Sequence, residues 1–445
     1  MVLKKLKNRF DMPLGRIVCF FIVLCLLVSC ASYYLQYRER YNDNSSFQII
    51  DFYKEEKNSA DAVFIGSSCC FSFYSPLFVY ENYGIRTMNY SSSGMGMEAY
   101  KYAIEEVRKY QKDARIILTI TPNYWMQYLG VHFMADYMPF SLNKVRFLTA
   151  YFTQPEESIL NSIGFFFPIM EYHDRWAEMS LDDFKIDEGI KGATRHQYYL
   201  HYVNDISDAY YVSDERIEMP ERMDYFISDL LDYCDENKEN IVFLLPPRIY
   251  SEEENAQMNT LMDTIKERGY EFLDLRDRFD ELKLDKTQDF YDVSHTNIHG
   301  SIKYSDYLAK YLMENKECEI VKDEGFDKAV ENYREIISEC VIDVETDMKH
   351  RDYDLARPKL LSVRQDGASV TLNWEEVKDA DGYIVYRRQE GGFKRICEIN
   401  TSLSYTDDTA EKGKVYTYTV LSYREDNGTG YYGNYDYKGL EIEVK

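Results

Sequence analysis

The sequence predicts a mixed α/β protein with a mainly parallel sheet, preceded by one apolar helix and followed by an all-β region. Short apolar runs, "ADAVFIG", "ARIILTIT" and "NIVFLL", alternate with helical patterns, as in parallel sheets that helices cover on both faces. An uncharged apolar segment precedes them at 17–35, and short alternating strands follow from residue 356. These three features define the expected architecture.

The composition fits a folded chain and excludes one class of partner. Of 445 residues, 45% are hydrophobic and 29% are charged, which is the balance of globular proteins with more than one domain. The formal net charge is −25, whereas nucleic-acid binding needs basic patches. We therefore expect no nucleic-acid partner.

The N-terminus has the pattern of a membrane anchor. Residues 1–16 carry five Lys or Arg against Asp11 alone, and residues 17–35 carry no charge. As a helix, the uncharged segment spans roughly 28 Å, about the thickness of one hydrocarbon core. Basic residues before the span predict a cytoplasmic N-terminus and an exported bulk.

Two alternatives to an uncleaved transmembrane anchor stay open. A cleaved signal peptide would need an A-x-A-like site, which is not evident. The stretch "LVSC", ending at Cys30, resembles the bacterial lipobox, whose cysteine is lipidated after cleavage, but the apolar "ASYYLQY" that follows differs from a polar lipoprotein tether. The anchor and the lipoprotein both place residues 36–445 outside the cytoplasm, tethered at the membrane surface.

The strands of the α/β region, taken as residues 45–320, end in polar loops. Loops 66–72, 90–96 and 121–125 follow the first three strands, and ligands of open parallel sheets bind beyond the carboxyl ends of the strands. Later come "NIVFLL" and "YEFLDL" with a helix between them, and then a closing helix that begins near Ile298. The candidate site is expected where the loops meet.

Two further segments interrupt or follow this region. Residues 125–225 are rich in aromatic, helix-like stretches, and we interpret them as an insertion that covers the site. The apolar stretch inside it at 158–172 is too short to span a membrane. Residues 321–355 are charged and helical in tendency, which indicates a connector.

Residues 356–445 predict a β-sandwich. Runs such as "SVTLNW", "GYIVYR" and "KVYTYTVLSY" are separated by turn residues. With Trp374 on the second strand and Tyr416 at the position of a tyrosine corner, the segment resembles a fibronectin type III domain. The resemblance implies a spacer or binding module without chemistry of its own.

A pair of polar residues with catalytic potential stands near the end of the α/β region. In "FYDVSHTNIHGS", Asp292 and His295 are three positions apart, just before the closing helix. A carboxylate at this spacing can fix the tautomer of an imidazole and stabilise its cation, which leaves the other ring nitrogen to face a nucleophile. Surface loops also contain such pairs by chance.

The combination of motifs is more specific than the pair alone. In chain order, "VFIGSS", "NYSSSG", an asparagine after the third strand and D-x-x-H resemble the SGNH (GDSL-like) hydrolase and acyltransferase superfamily, over roughly residues 45–315. The resemblance implies a flavodoxin-like three-layer α/β fold. G-S-S in place of G-D-S is similar to the membrane-anchored, bacterial cell-envelope branch of that superfamily.

The resemblance implies a role for each matching residue. Ser68 matches the nucleophile, His295 the general base and Asp292 its orienting partner. The oxyanion hole would consist of the backbone N–H groups of Ser68 and Gly94 and the side chain of Asn123. Donors preorganised in this way supply much of the stabilisation in acyl transfer.

Each assignment has a structural alternative. Ser68 would otherwise cap the following helix, Gly94 would serve turn geometry, and Asn123 would be a turn residue. Ser67 replaces the aspartate of G-D-S, Cys69 stands where related sequences often have histidine, and the third block lacks its usual glycine. We interpret the adjacent Cys69 and Cys70 as packing residues, because nothing in the sequence around them indicates the electropositive setting of a reactive thiol.

Further residues complete the expected site. His173, Arg175 and Trp176 are candidates for substrate binding where the insertion meets the cleft, with a polar helix face as the alternative. The histidines and cysteines show neither H-E-x-x-H nor C-x-x-C spacing, and no nucleotide-binding loop is present. We expect no metal and no cofactor.

Two functions follow from these observations. The first is a membrane-tethered serine esterase or O-acyltransferase that acts on acyl groups of a cell-envelope or exported polysaccharide. The second is a non-catalytic envelope binding or assembly protein that keeps the SGNH scaffold. The expected partners are an acyl-bearing polysaccharide or envelope glycopolymer, the membrane and other envelope-assembly proteins.

Overall fold

The N-terminal helix is long and apolar enough to cross a membrane. The computed structural model describes residues 13–35, 47–123, 126–154, 157–177, 179, 189–194, 203–207, 212–314, 322–350, 352, 354–367, 369–388, 394–399, 401–436 and 439–445. Helix α1, Pro13–Leu35, contains the apolar stretch Gly15–Ser32 with a mean hydropathy of 2.3. A signal sequence would share these properties. The predicted cytoplasmic segment before Pro13 lies outside the described residues.

Helices surround the sheets in both parts of the chain. Their bounds are α1 Pro13–Leu35, α2 Phe47–Phe52, α3 Ser68–Phe73, α4 Pro76–Tyr83, α5 Met97–Tyr110, α6 Tyr128–Ala135, α7 Leu142–Phe152, α8 Ile163–Phe166, α9 Pro168–Tyr172, α10 Glu221–Asn237, α11 Glu252–Glu267, α12 Phe279–Leu282, α13 Ile298–Glu314 and α14 Glu324–His350. Two short 3₁₀ helices are Ile159–Ser162 and His173–Ala177.

A five-stranded parallel sheet forms the centre, which confirms the predicted mixed α/β class. Its strands are β1 Ala62–Gly66, β2 Thr87–Ser91, β3 Arg115–Thr119, β4 Ile241–Leu245 and β5 Glu271–Asp274. They lie in the order β2-β1-β3-β4-β5, and every neighbouring pair is parallel. Gly66 is opposite both Ser91 and Thr119. The first three strands therefore end at the same edge.

A short hairpin follows the sheet in the chain. Its strands are β6 Phe290–Asp292 and β7 His295–Thr296, which pair antiparallel just before α13.

Apolar side chains cover both faces of the central sheet. Along β1, Val63 and Ile65 belong to one buried cluster, while Ala62 and Phe64 belong to another on the opposite face. Because successive side chains of a strand point to opposite sides, this division requires packing partners on both. The uninterrupted apolar runs of the sequence reflect this two-sided burial.

The segment between β3 and β4 packs on the α/β unit and on the N-terminal helix. The Asn143 amide at the start of α7 donates to the carbonyl oxygen of Tyr102 on α5, at 2.9 Å. Helix α9 lies against α1, where the Ile169 N–H donates to Ser32 Oγ at 3.3 Å. Parts of the predicted insertion 125–225 lie outside the described residues.

The predicted connector 321–355 is largely the long helix α14, and its first half joins the core. Phe326, Val330 and Tyr333 are buried in the larger cluster of the α/β unit. The hydroxyl of Tyr80 on α4 donates to Asp327 at 3.0 Å. The charged residues of α14 give the segment the composition of a solvent-exposed connector. Its apolar residues are nevertheless packed against the α/β unit.

The C-terminal region is all-β, as predicted. Its strands are β8 Leu360–Asp366, β9 Ser369–Trp374, β10 Gly382–Arg388, β11 Lys394–Ile399, β12 Ser404–Asp407, β13 Val415–Asp426, β14 Thr429–Tyr435 and β15 Leu440–Glu443. Two antiparallel sheets, β12-β9-β8 and β11-β10-β13-β14 with β15 on β13, enclose the buried Trp374. The hydroxyl of Tyr416 accepts from the Glu411 N–H at 3.1 Å, as a tyrosine corner does.

Candidate active site

Ser68 stands at the tight turn between the first strand and the helix that follows. Strand β1 ends at Gly66, where a Cβ would lie 2.8 Å from the carbonyl oxygen of Thr119, so only glycine fits there. Ser67 is the extended N-cap residue of α3, and its side chain makes no capping hydrogen bond. Ser68 is the first residue of α3, and its hydroxyl faces His295.

The Ser68 hydroxyl contacts the imidazole of His295. The distance between His295 Nε2 and Ser68 Oγ is 2.9 Å. On the other side of the ring, His295 Nδ1 lies 2.9 Å from both carboxylate oxygens of Asp292. A hydroxyl, an imidazole and a carboxylate joined in this order have the geometry of a catalytic triad.

The hairpin of β6 and β7 presents the acid and the imidazole. The two strands pair so that Asp292 is opposite His295. The Ser294 N–H donates to Asp292 Oδ1 at 2.7 Å. The buried carboxylate is thus held by the turn itself, which explains why the D-x-x-H spacing suffices to bring the two side chains together.

Two hydrogen bonds fasten the hairpin to the helix that carries the serine. Cys69 Sγ donates to the Ser294 carbonyl oxygen at 3.2 Å, and Thr296 Oγ1 donates to the Ser72 carbonyl oxygen at 2.7 Å. Burial raises the pKa of the Cys69 thiol, and burial raises the pKa of Cys70 to about 12. Both thiols are therefore protonated at neutral pH, which is the state of packing residues and not of nucleophiles.

The two other predicted oxyanion residues lie on loops at the same edge of the sheet. Gly94 follows β2 with a φ of +70°, a left-handed conformation that favours glycine. Asn123 follows β3, is exposed, and accepts from the Met97 N–H through its carbonyl oxygen at 3.1 Å. The Ser92 N–H donates to the Gly66 carbonyl oxygen at 3.2 Å, so the loops are joined. Their role as oxyanion donors stays a prediction.

A buried glutamate that the sequence did not reveal connects two of these loops. Glu98, in the first turn of α5, accepts a hydrogen bond from the Met126 N–H beyond β3. Burial raises the pKa of the Glu98 carboxyl to about 8. The side chain is therefore mainly protonated at neutral pH, so the loop after β3 is held without a buried charge.

Arg248 is a second residue near the triad that the sequence did not reveal. It follows β4 in "LLPPR", and its side chain is only 12% exposed. Its Nε donates to the Ile249 carbonyl oxygen at 3.2 Å, and its guanidinium lies over the Tyr250 ring at 5.0 Å. Burial alone would lower the pKa of the Arg248 guanidinium, but neighbouring acidic groups, among them the carboxylates of Glu254 and Asp292, raise it. The available signal was a basic residue three positions after a buried strand.

The residues predicted to bind substrate lie against the N-terminal helix. His173, Arg175 and Trp176 form most of one short 3₁₀ helix. Arg175 Nη1 donates to the carbonyl oxygen of Leu35, at the end of α1, at 3.1 Å. Their role in substrate binding stays a prediction.

The geometry of the side chains, and not the size of a cavity, defines the site. Two polar clefts of about 620 and 630 Å³ are lined by other residues, including Lys101 and Asp229 in one and Lys191 and Glu55 in the other. Neither of these is lined by Ser68. Within the described ranges, no group of three or more His, Cys, Asp or Glu side chains is placed to hold a metal ion.

Comparison with known proteins finds similarity to solved structures. No family model matches the chain, and no curated protein matches it. Among solved structures, a protein described as a lipolytic protein of the G-D-S-L family, from Desulfitobacterium hafniense DCB-2, covers 56% of this chain and 97% of its own. It is 10% identical, with a TM-score of 0.28.

Two further similar structures are single fibronectin type III-like domains. An Fn3-like protein from Clostridium thermocellum is 29% identical over 18% of this chain and 88% of its own, with a TM-score of 0.16. A human FNIII domain is 16% identical over 20% of this chain and 78% of its own, with a TM-score of 0.17. At these TM-scores, the functional argument depends on the geometry of Ser68, His295 and Asp292.

Proposed function

We propose that the chain is a membrane-tethered serine esterase or O-acyltransferase of the SGNH type, with a C-terminal fibronectin type III domain. The observation that carries this proposal is the continuous chain from Ser68 Oγ through His295 to Asp292, with both contacts at 2.9 Å. Surface serines rarely meet a histidine that a buried carboxylate orients. The same arrangement recurs on several unrelated folds that transfer an acyl group through a serine.

In the first half of the reaction, Ser68 Oγ attacks the carbonyl carbon of an ester. His295 Nε2 takes the hydroxyl proton, and Asp292 stabilises the imidazolium that forms. The negative charge on the carbonyl oxygen is stabilised by the N–H groups of Ser68 and Gly94 and by Asn123. Collapse of this intermediate expels the alcohol, which receives the proton from His295, and leaves the acyl group on Ser68.

In the second half, an acceptor hydroxyl attacks the acyl-enzyme. His295 takes the proton of the acceptor, and Ser68 Oγ leaves and is protonated again. Water as the acceptor releases a carboxylic acid, whereas a sugar hydroxyl produces a new ester. Both outcomes use the same three residues in the same roles.

The location proposed for this activity is the outer face of the cell membrane. Helix α1 would anchor the chain, and residues 36–445 would stand outside the cytoplasm. A tether restricts the enzyme to substrates that reach the membrane surface, so we propose acyl groups on a cell-envelope or exported polysaccharide. His173, Arg175 and Trp176 would contact this polymer close to the membrane surface.

A fluorophosphonate probe tests the proposal on the full chain in detergent. The wild type should be labelled, Ser68→Ala should not, and Cys70→Ala should be labelled like the wild type, because its buried thiol takes no part. An unlabelled wild type would favour the alternative, a non-catalytic envelope binding or assembly protein. Labelling that persists in Ser68→Ala would reject Ser68 as the nucleophile.

A further inference from the structure

The segment between β3 and β4 exposes an unusual concentration of apolar side chains. Outside α1, the described residues expose 17 large apolar side chains, and ten of these lie between residues 128 and 176. The six most exposed, at 59% to 81%, define what we call the apolar surface: Leu129, Phe140, Leu142, Leu160, Met170 and Trp176. Single exposed apolar residues are common, but a concentration of this kind marks an interaction surface.

The helices that carry the apolar surface pack on one another. The ring of Phe140 contacts that of Phe166 on α8, with centroids 6.0 Å apart, and Tyr128 on α6 contacts Phe165 at 5.8 Å. Helices α8 and α9 also pack together. The exposed side chains therefore belong to one continuous body and not to separate loops.

This body is joined to the end of the helix that can cross a membrane. Arg175 Nη1 donates to the carbonyl oxygen of Leu35, the last residue of α1, and the Ile169 N–H donates to Ser32 Oγ. Trp176, next to the arginine, is 72% exposed. Tryptophan is enriched where a membrane helix leaves the hydrocarbon, and an arginine there can bury its apolar stem while its charged head stays in water.

Charge is sparse in the same segment. Residues 126–177 contain five Asp or Glu and three Lys or Arg among 52 residues, or 8/52, whereas 29% of the whole chain is charged. Arg146 is paired with Glu105, and Asp136 contacts His132, whereas Asp174, close to Trp176 in the chain, is exposed. A surface that is apolar and nearly uncharged fits acyl chains and neutral headgroups better than it fits an acidic polymer or an anionic lipid cluster.

We infer that the apolar surface is inserted into the outer interface of the bilayer, beside the point where α1 emerges. The segment would then be a second, in-plane membrane contact, which fixes the height and orientation of Ser68 above the lipid. The apolar surface would contact lipid molecules directly, at the boundary between their acyl chains and their headgroups. This inference rests on the membrane tether of the proposed function, but not on its chemistry.

Site-specific photo-crosslinking of the full chain tests the inference. Benzoylphenylalanine replaces Leu160 or Met170 in the apolar surface, and Leu361 or Tyr225 as matched controls, which are 55% and 60% exposed on other parts of the chain. The protein is reconstituted in phosphatidylcholine vesicles, irradiated and examined by mass spectrometry. We expect phospholipid adducts at Leu160 and Met170 and none at the two controls.

A position in α1 separates failure of this inference from failure of the tether. The same probe in place of Leu26 should react with lipid wherever α1 is in the membrane. Adducts at Leu26 without adducts at Leu160 and Met170 would reject the apolar surface as a membrane contact and leave the tether intact. No adduct at Leu26 would reject the tether and, with it, the in-plane contact.

Two further arms separate lipid contact from protein binding and from electrostatic attraction. In native membranes, protein adducts in place of lipid adducts at Leu160 and Met170 would show that the surface binds a membrane protein, and the inference would be wrong. The pattern should be unchanged in a Ser68→Ala background, because lipid contact does not depend on catalysis. It should also be unchanged in high salt, since screening weakens only electrostatic binding.

Discussion

His295 Nε2 lies 2.9 Å from Ser68 Oγ although 227 positions separate the two residues. The contact forms because the hairpin that carries His295 is bonded to α3 through Cys69 and Thr296. Neither partner has this geometry alone, since Ser68 depends on the turn after β1 and His295 on the hairpin.

A serine and a histidine that act as a unit should show non-additive losses. Ser68→Ala and His295→Ala should each remove nearly all turnover of a short-chain aryl ester, and the double variant should be no worse than either single one. His299→Ala, a change in the first turn of α13, is the matched control and should keep activity. Additive losses, with circular dichroism confirming the fold, would show that Ser68 and His295 do not cooperate.

The carboxylate of Asp292 should matter through the imidazole and not through substrate binding. In a serine protease, the equivalent change to asparagine lowers turnover by about 10⁴-fold, because the imidazole takes the wrong tautomer. We expect a smaller loss for Asp292→Asn here, expressed in kcat with KM nearly unchanged. A rise in KM alone would contradict the orienting role.

Arg248 should support the site as a positioning residue. Removing its buried charge beside Cys69 and Asp292 in Arg248→Gln should lower kcat/KM by about 10-fold to 100-fold, or ~1.4 to 2.7 kcal/mol. Arg248→Lys should retain part of the wild-type kcat/KM, because lysine keeps the positive charge but lacks the planar guanidinium.

The matched control for Arg248 is Arg108→Gln. Arg108 is also poorly exposed and pairs with Glu239 at 2.7 Å, but it lies at the other end of the sheet. The Arg108→Gln substitution should lower the melting temperature and leave kcat/KM of the folded enzyme unchanged. Equal effects of Arg248→Gln and Arg108→Gln on stability, with no effect on rate, would reduce Arg248 to a structural role.

Glu98 should make the stability fall as the pH rises. Its folded pKa of about 8 lies above the ordinary value of 4.5, so the folded state holds a proton that the unfolded state releases. The stability contribution is therefore complete below about pH 4.5 and is lost progressively up to about pH 8. Glu98→Gln keeps the acceptor for the Met126 N–H and carries no proton to lose.

The measurement is the melting temperature of the wild type, Glu98→Gln and the exposed control Glu281→Gln at pH 5.5, 7 and 8.5. Glu98→Gln should gain on the wild type as the pH increases, and Glu281→Gln should follow the wild type. Parallel curves for wild type and Glu98→Gln would mean that the Glu98 carboxyl titrates as an ordinary exposed acid.

The tether predicts a definite topology. Helix α1 continues without a break through Cys30 to Leu35, so we expect an uncleaved anchor with residues 36–445 outside the cytoplasm. Protease added to intact spheroplasts should digest the C-terminal β region, and a fully protected region would contradict the topology. Incorporation of labelled palmitate that is lost in Cys30→Ser would establish the lipoprotein instead.

The sequence by itself determined the elements whose signal is local. Uninterrupted apolar runs predicted the parallel strands, because burial on both faces leaves no polar side of a strand. Asp292 and His295 were found because a separation of three positions within one turn is enough to join them. The alternating strands after residue 356 were found for the same reason, since the period of two is visible within each strand.

Only the tertiary structure decided which distant groups meet. The order β2-β1-β3-β4-β5 brings three loops to one edge, and no local pattern contains that order. Glu98 and Arg248 looked like ordinary charged residues, because burial of a single side chain depends on what packs around it. In the segment from 126 to 177 and in α14, an apolar side chain has the same sequence signature whether it faces the core or the surroundings. Tertiary packing decides which of these side chains are buried, as in α14, and which are exposed, as in the apolar surface. Hydrophobicity alone records a preference for leaving water and does not identify the groups that take the place of water.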